Sequence, residues 1–389
     1  MLPLGLSTQE QRWFHEALVS SQRTHTRLQL LDLDHNHLGD LTELLDDGQV
    51  DIVSIGEKAT RSCSLTLFDP WHRSTLDGAT PGTTGVYLDR MIRVIRSTWV
   101  PQMGEWVDVP MFTGPITKAP RSGHSLNVEA MGKEILAQSP RLKARVWAKG
   151  LTRVGVCRSI LEELAGETRF DLPSLGPKSA RLPKNLTLHE ESIPWDHVMR
   201  LSRSMNWQGF YDGRGVFRMR AKYSRPVWEF RDGDGGSVLS MPQVEPDIAD
   251  EEVFNRWRVK GNGKIDITRT IPTWHSRSPQ SLGRRDRSGN LVPRYLLHVE
   301  ENDDIRTRAE AVDLAEEMRR EGMKDTGKVT WEGLVIPHLE PVDTLQIDAG
   351  GIVTTARLRE ASWSLRAATA TYGYTKVLRR NRGMWRLRT

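Results

Sequence analysis

The sequence predicts an α+β fold rich in β-structure, with two similar β-barrel domains and helical and helix–hairpin segments interleaved between them. Three observations carry this reading. Alternating apolar and polar residues fill two separated stretches, the segments between them change to helical spacing, and prolines and glycines interrupt the alternating stretches at short intervals.

Five segments follow in order. Residues 1–24 read as an N-terminal helix, because Ser7-x-x-Glu10 can form a capping box ahead of Trp13, Phe14 and Leu18. Residues 25–137 read as the first β-barrel domain. Leu65 and Leu67 alternate with Ser64 and Thr66, and Leu126, Val128 and Ala130 alternate with Asn127 and Glu129, so one face of each strand is buried. Asp69-Pro70, Pro81-Gly82 and Arg121-Ser122-Gly123 are the turns between strands. Residues 138–190 form a helical connector, with Val154, Cys157, Ile160, Leu161 and Leu164 at helical spacing and Gly166 as the stop.

Residues 191–294 read as a helix–hairpin α+β domain. A helix from near Pro194 to Met205 turns Trp195, Val198 and Leu201 inward and leads into a glycine-rich turn over 209–217. Beyond the turn, Phe217, Met219 and Ala221 alternate with Arg218, Arg220 and Lys222. Residues 272–294 hold three prolines and many arginines without a period, and read as a long Arg-rich loop. Residues 295–389 form the second β-barrel domain. Its helix opens on a Thr307-x-x-Glu310 capping box, turns Ala309, Val312, Ala315 and Met318 to one side and ends near Gly322. Strands return with Leu345 and Ile347 alternating against Gln346 and Asp348. The segments 90–96, 111–120 and 125–132 match 343–350, 352–360 and 367–374 in element order, which fits either a duplication or two ordinary meanders.

The bulk numbers narrow the function class. At 389 residues the chain should divide into about two to four domains. Hydrophobic residues make up 38% and charged residues 27%, which excludes a disordered chain. Fifty-five basic against fifty acidic residues leave +5, too small and too scattered to require a polyanionic partner. Cys63 and Cys157 are too few for a disulfide framework or a cysteine zinc site and read as two buried thiols. The opening MLPLGLSTQEQRWF lacks a basic segment followed by a long apolar run, and no stretch approaches eighteen apolar residues. Neither a signal peptide nor stable membrane insertion is expected. Thirteen tryptophans against six tyrosines favour packed cores and protein interfaces.

The search for chemistry yields no catalytic, cofactor-binding or metal-binding residue. Asp32, Asp34, Asn36 and Glu43 occupy positions 1, 3, 5 and 12 of a calcium loop, but His37 stands where the sharp turn requires glycine, and Gly39 where an apolar residue belongs. Asp32, Asp34, His35 and His37 could begin a hydrolytic metal site, yet nothing identifies the further ligands that two-metal chemistry needs. The plainer reading is a polar hairpin. Lys260 to Lys264 lacks the spacing of a phosphate loop, and there is no G-x-S-x-G elbow or H-E-x-x-H pair. His189, Glu190 and Glu191 are adjacent and would point to opposite faces of a strand. The basic tail, with Lys376, Arg379, Arg380, Arg382, Arg386 and Arg388 around Trp385, fits a solvated end, a subunit interface or a nucleic-acid contact.

Six signatures in order resemble the tail hub or baseplate hub proteins of long-tailed bacteriophages, a family related to the hubs of contractile injection machines. They are VSIGEKATRSCSLTLFDP over 53–70, with an arginine ahead of an alternating strand that ends in Asp-Pro; MFTGPITKAPRSGHSLNVEA over 111–130; the helix and Gly-aromatic-Asp-Gly hairpin of 193–219; Asn255 to Gly261; Asp304 to Ala315; and Leu339 to Leu345, in which Val342 stands for the usual glycine. The resemblance spans about residues 25–378. It implies a structural virion protein that is not an enzyme. The hub of this family joins the hexameric tail tube to trimeric tip fibres or spikes and forms part of the channel. As a homotrimer with two similar barrels per chain, it would present six edges to the tube. The implied partners are the tail tube or distal tail protein, the tape measure protein and the fibre or spike proteins. DNA passes only in transit, no cofactor is implied, and the location is the tail tip of a virion assembled in the host cytoplasm. The alternatives are a tail-associated cell-wall hydrolase and a hexameric distal tail ring protein.

If the Asp32 to Glu43 loop is a plain hairpin, purified protein should carry no stoichiometric calcium or transition metal. Elemental analysis, together with an Asp32→Ala, Asp34→Ala variant that leaves the metal content unchanged, checks this.

Overall fold

The computed structural model describes residues 1–20, 23–55, 58–69, 85–86, 88–139, 144–173, 180–205, 207–221, 225–233, 235–240, 242–246, 254–270, 283–303, 305–322 and 326–377. Helix α1 (Thr8–Val19) begins on the expected capping box. The Ser7 hydroxyl accepts from the Glu10 amide, the Glu10 carboxylate accepts from the Ser7 amide, and Phe14, Ala17 and Leu18 are buried. Eight strands follow: β1 (Thr24–Leu31), β2 (His37–Asp40), β3 (Leu45–Ile55), β4 (Lys58–Phe68), β5 (Met91–Val100), β6 (Glu105–Lys118), β7 (Arg121–Ser122) and β8 (Ser125–Met131). Leu65, Leu67, Leu126, Val128 and Ala130 all point into the core, as their alternation requires.

A second core lies in the middle of the chain. It is built from β9 (Arg145–Trp147), α2 (Arg153–Ala165), β10 (Phe170–Asp171), β11 (Leu186–Leu188), α3 (Pro194–Arg203), β12 (Trp207–Tyr211) and β13 (Phe217–Ala221). Cys157, Ile160 and Leu161 of α2 meet Trp195, Val198 and Leu201 of α3, with Phe217 and Met219 of β13 beneath them. Helix α2 stops at Gly166 in the left-handed conformation, φ 68°.

The rest of the chain adds β14 (Trp228–Arg231), β15 (Gln243–Pro246), β16 (Arg256–Lys260), β17 (Asp266–Thr270), β18 (Gly283–Arg285), β19 (Leu291–Pro293), β20 (Leu297–Glu301) and α4 (Arg308–Gly322). Last come β21 (Thr326–Leu334), β22 (Thr344–Ala349), β23 (Ile352–Arg357), β24 (Glu360–Ser364) and β25 (Thr369–Val377). Strands β16, β17 and β20 form a small sheet, in which β20 runs parallel to β16, and α4 packs on it through Ala311, Leu314 and Ala315. Ala309, expected to face inward, is exposed, because the larger Leu314 draws the buried stripe toward itself.

The stretch 272–294, expected to be a loop, contains the β18–β19 hairpin. The Asp286 carboxylate accepts from the Ser288 and Asn290 amides, both at 2.9 Å, and Gly289 takes φ 85° to close the turn. Strands of three residues each leave too little alternation to read. Residues 271–282 lie outside the described residues.

Among the described residues the two β-regions do not close into separate barrels; they join in one open path of twelve strands. Its order is β15, β21, β25, β24, β3, β4, β8, β6, β5, β1, β2, with β7 beside β8. The junction is antiparallel pairing of β3 with β24, in which Val53 faces Glu360, Ile52 faces Ala361 and Val50 faces Trp363. One hydrophobic core runs beneath the path, so that Leu28, Val50, Leu65 and Val94 share it with Trp331, Ile336, Ile347, Trp363 and Tyr372. A further sheet of β14, β22 and β23 closes on the same core through Phe230 and Ile347.

Two glycines mark where elements approach too closely for a side chain. A Cβ on Gly213, in the β12–β13 turn, would lie 2.0 Å from the Pro110 carbonyl oxygen of β6. One on Gly114 of β6 would lie 2.0 Å from that of Met131. Gly213→Ala and Gly114→Ala are each expected to cost about 3 kcal/mol by forcing backbones apart, whereas Gly39→Ala, with open space around it, stays within about 0.5 kcal/mol of the parent. Urea-unfolding midpoints check the difference.

Candidate functional site

A buried polar junction lies where the first β-region, the helix–hairpin region and the last β-region meet. Arg61 of β4 is 4% exposed and lies 2.8 Å from the Glu340 carboxylate, itself almost fully buried, in the turn before β22. The same guanidinium donates to the Met111 carbonyl at 2.6 Å and the Leu339 carbonyl at 3.2 Å. Burial pushes the Glu340 carboxyl up and the neighbouring Arg61 pulls it back down. Asp343, also buried, accepts from the Glu340 amide at 2.8 Å and the Met1 ammonium at 2.5 Å, with Arg220 of β13 at 3.6 Å. Arg220 donates in turn to the Met1 carbonyl at 2.7 Å.

The residues that carry the family resemblance are anchors of this kind. Asp69 of the Asp-Pro step is buried and paired with Arg121 at 3.1 Å. Asp212 in the Gly-aromatic-Asp-Gly hairpin accepts from the Arg214 amide at 2.9 Å and the Val216 amide at 3.1 Å, which shapes the turn that Gly213 docks on β6. Asn255 accepts from the Leu296 amide and donates to the Arg294 carbonyl, tying the start of β16 to the start of β20. Thr307 and Glu310 form their capping box, and the Glu310 carboxylate also lies 3.2 Å from the fully buried Arg153 of α2. Val342, in place of a glycine, packs on Phe210, so the departure from the pattern fills a gap between the hairpin and the last β-region.

The candidates considered for chemistry fall apart in space. Asp32 is used by its own turn: its carboxylate accepts from the Asp34 and Asn36 amides and from the Asn36 side chain, at 2.9, 2.7 and 2.8 Å. Those bonds hold it below the usual carboxylate range. His37 pairs with Asp40, both exposed on β2, and His35 turns away into the protein. Among the described residues no three His, Cys, Asp or Glu side chains converge as a metal site. His189, Glu190 and Glu191 lie exposed in the turn before α3. Lys260 to Lys264 is the β16–β17 turn, with Gly263 at φ 72°. Cys63 and Cys157 are both buried and form no disulfide, and burial pushes the Cys63 thiol up. Of the basic tail, residues 378–389 lie outside the described residues, as does the Lys376 side chain.

Sequence reasoning missed a buried histidine pair. His338 lies 3.2 Å from His15 of α1, ring stacked on ring, with Trp228 and Phe14 edge-on to them. Burial pushes both imidazoles down, so they stay neutral and pin α1 to the last β-region. Two histidines 323 positions apart give no local signal.

Removing one partner of the Arg61–Glu340 pair should be far worse than removing both. Arg61→Leu is expected to cost about 3–5 kcal/mol by stranding a carboxylate, and adding Glu340→Leu should recover most of that. Unfolding midpoints of the single and double variants check the order.

No family model and no curated protein matches the sequence. Solved structures do. A tail protein from Neisseria meningitidis MC58 superposes with a TM-score of 0.56 at 10% identity, over 90% of this chain and 97% of that one. The 43 kDa tail protein of prophage MuSo2 from Shewanella oneidensis superposes with a TM-score of 0.58 at 9% identity, over 91% and 98%. Nearly the full length of each is matched, and the chain therefore has the fold of these phage-type tail proteins.

Proposed function

We propose that the chain is a structural subunit of a phage-type tail, and within it the tip hub that joins a hexameric tail tube to trimeric fibre or spike components. The observation that carries this reading is the β3–β24 junction. Within one chain, the edge of the first β-region is already covered by the edge of the last. Among the described residues the two ends of the strand path, β2 and β15, each have one hydrogen-bonded neighbour, and such edges invite continuation by another chain.

In this reading residues 1–24 are the N-terminal helix, 25–137 and 295–389 are two similar β-domains joined within one chain by the β3–β24 pairing, and 138–190 and 191–294 are the connector and the helix–hairpin domain between them. Three chains alternate six such β-domains around an open channel, which converts threefold into sixfold symmetry without a second gene product. The tube or distal tail protein sits on one side of the ring, fibre or spike proteins on the other, and the tape measure protein and then DNA occupy the channel. The role is one of binding and shape, in a virion tail tip assembled in the host cytoplasm. Polar residues spent on internal anchoring, such as Arg61, Asp212, Glu340 and Asp343, fit such a role.

Cryo-electron microscopy of the assembled tail tests it. The expected result is three copies per ring, with residues 25–137 and 295–377 superposable around the channel. Six copies per ring would favour a distal ring protein instead, and β-regions that do not superpose would remove the symmetry argument.

A further inference from the structure

The turn between β1 and β2 ends up somewhere its sequence does not suggest. His35 takes φ 69°, the left-handed region, and this swings its ring into the junction between the first β-region and the helix–hairpin region. Its Nδ1 lies 2.9 Å from Nη1 of Arg169, just ahead of β10, and 3.3 Å from Nη2 of Arg93 on β5. Its Nε2 lies 3.0 Å from Nζ of Lys133.

A neutral imidazole has one lone pair and one N–H. Guanidinium and ammonium groups only donate, so the ring's one lone pair can serve either the arginines at Nδ1 or Lys133 at Nε2, and the N–H of the other nitrogen then faces a cation. Burial, with Lys133, Arg169 and Arg93 around it, pushes His35 down to about 3, so the ring adds no charge of its own at neutral pH. Lys133 is 4% exposed and has its counter-ion, Glu167 at 2.6 Å. The two arginines do not. Among the described residues, Arg93 reaches only His35 and the Thr113 hydroxyl, and Arg169 only His35 and the Arg214 carbonyl. Asp32, the carboxylate whose charge acts on His35, is occupied by its own turn. Three other buried arginines do have a carboxylate, Glu340 for Arg61, Glu310 for Arg153 and Asp171 for Arg218, whereas Arg96 has only the Thr24 hydroxyl and the Ser364 carbonyl, and it stands apart from any second cation.

We propose that Arg93 and Arg169, held together by the neutral ring of His35 and backed by Lys133, form an oxyanion-binding site. Both guanidinium groups are half-buried and reach one nitrogen atom, so their remaining N–H donors lie close enough to share a ligand. The ligand is a phosphate-like ion or a carboxylate. Its binding cancels the repulsion between two cations that the fold itself leaves uncompensated.

The full chain is unfolded thermally in sodium chloride, sodium sulfate or sodium acetate at one ionic strength, as parent, Arg93→Gln and Arg169→Gln. The expected result is a rise of about 2–6 °C for the parent in sulfate or acetate over chloride, absent from both variants. A larger rise in sulfate identifies a phosphate-like ligand, and a larger rise in acetate a carboxylate; either supports the site. In chloride, Arg169→Gln should unfold at or above the parent's temperature, because it relieves repulsion, whereas an arginine with a purely structural role would lower it when lost. No difference between the anions in the parent, an anion effect that survives in the variants, or a marked loss of stability of Arg169→Gln in chloride overturns the proposal.

Discussion

A guanidinium on β4 and a carboxylate 279 positions later, both buried, can be tolerated only together. Alone, either would be a charge removed from water without compensation. The Arg61–Glu340 pair therefore ties the first β-region to the last, and much of the architecture serves to keep it dry. Trp363 of β24 lies under the Arg61 guanidinium, with its ring centroid 5.9 Å away. The Met111 and Leu339 carbonyls take further protons of the guanidinium, and the Glu340 turn is held from behind by Asp343. Each partner comes from a different segment, so the pair forms only when β4, β6, β24 and the turn before β22 are all in place.

Specificity is the natural use of such a site. An apolar core of Leu, Val and Trp would hold the two β-regions together in several registers, since burial is indifferent to a shift of two residues along a strand. A buried ion pair is not indifferent. The anchors at Asp69, Asp212, Asn255 and Glu310 act in the same way, each fixing one turn or helix start against a particular neighbour. Polar residues at intervals through an apolar chain thus mark where the fold must take one arrangement and no other.

How much of this was legible depended on distance along the chain. Capping boxes at Ser7 and Thr307, the inward faces of α2 and α3, and the alternation of Leu65 with Ser64 or Leu126 with Asn127 are local signals, and the structure has them where the sequence places them. The joining of the two β-regions was not legible, because Val50 and Trp363 carry no mark of each other. Nor was the β18–β19 hairpin, whose strands of three residues each are too short to show a period. Arg61 and Asp343 stood out as parts of an ordered pattern, but their job, pairing with Glu340 and bracing its turn, needed coordinates. Asp32 and His35 looked like one ligand set and proved to face different surroundings, since His35 itself takes a positive φ.

The β3–β24 pairing also has a consequence for synthesis. Strand β3 has no partner on that side until roughly 300 more residues have been added, about 15–60 s at a typical elongation rate of 5–20 residues per second. During that time a strand whose inner face carries Val50 and Ile52 presents an open edge. Only its other face, where Gln49 donates to the Asp51 carboxylate, discourages a stranger from pairing. Two chains being made side by side would each offer the other what its own C-terminal half will later supply. Exchange of β24 between neighbours is thus the misassembly this topology invites, and the rate of translation sets how often it has the chance.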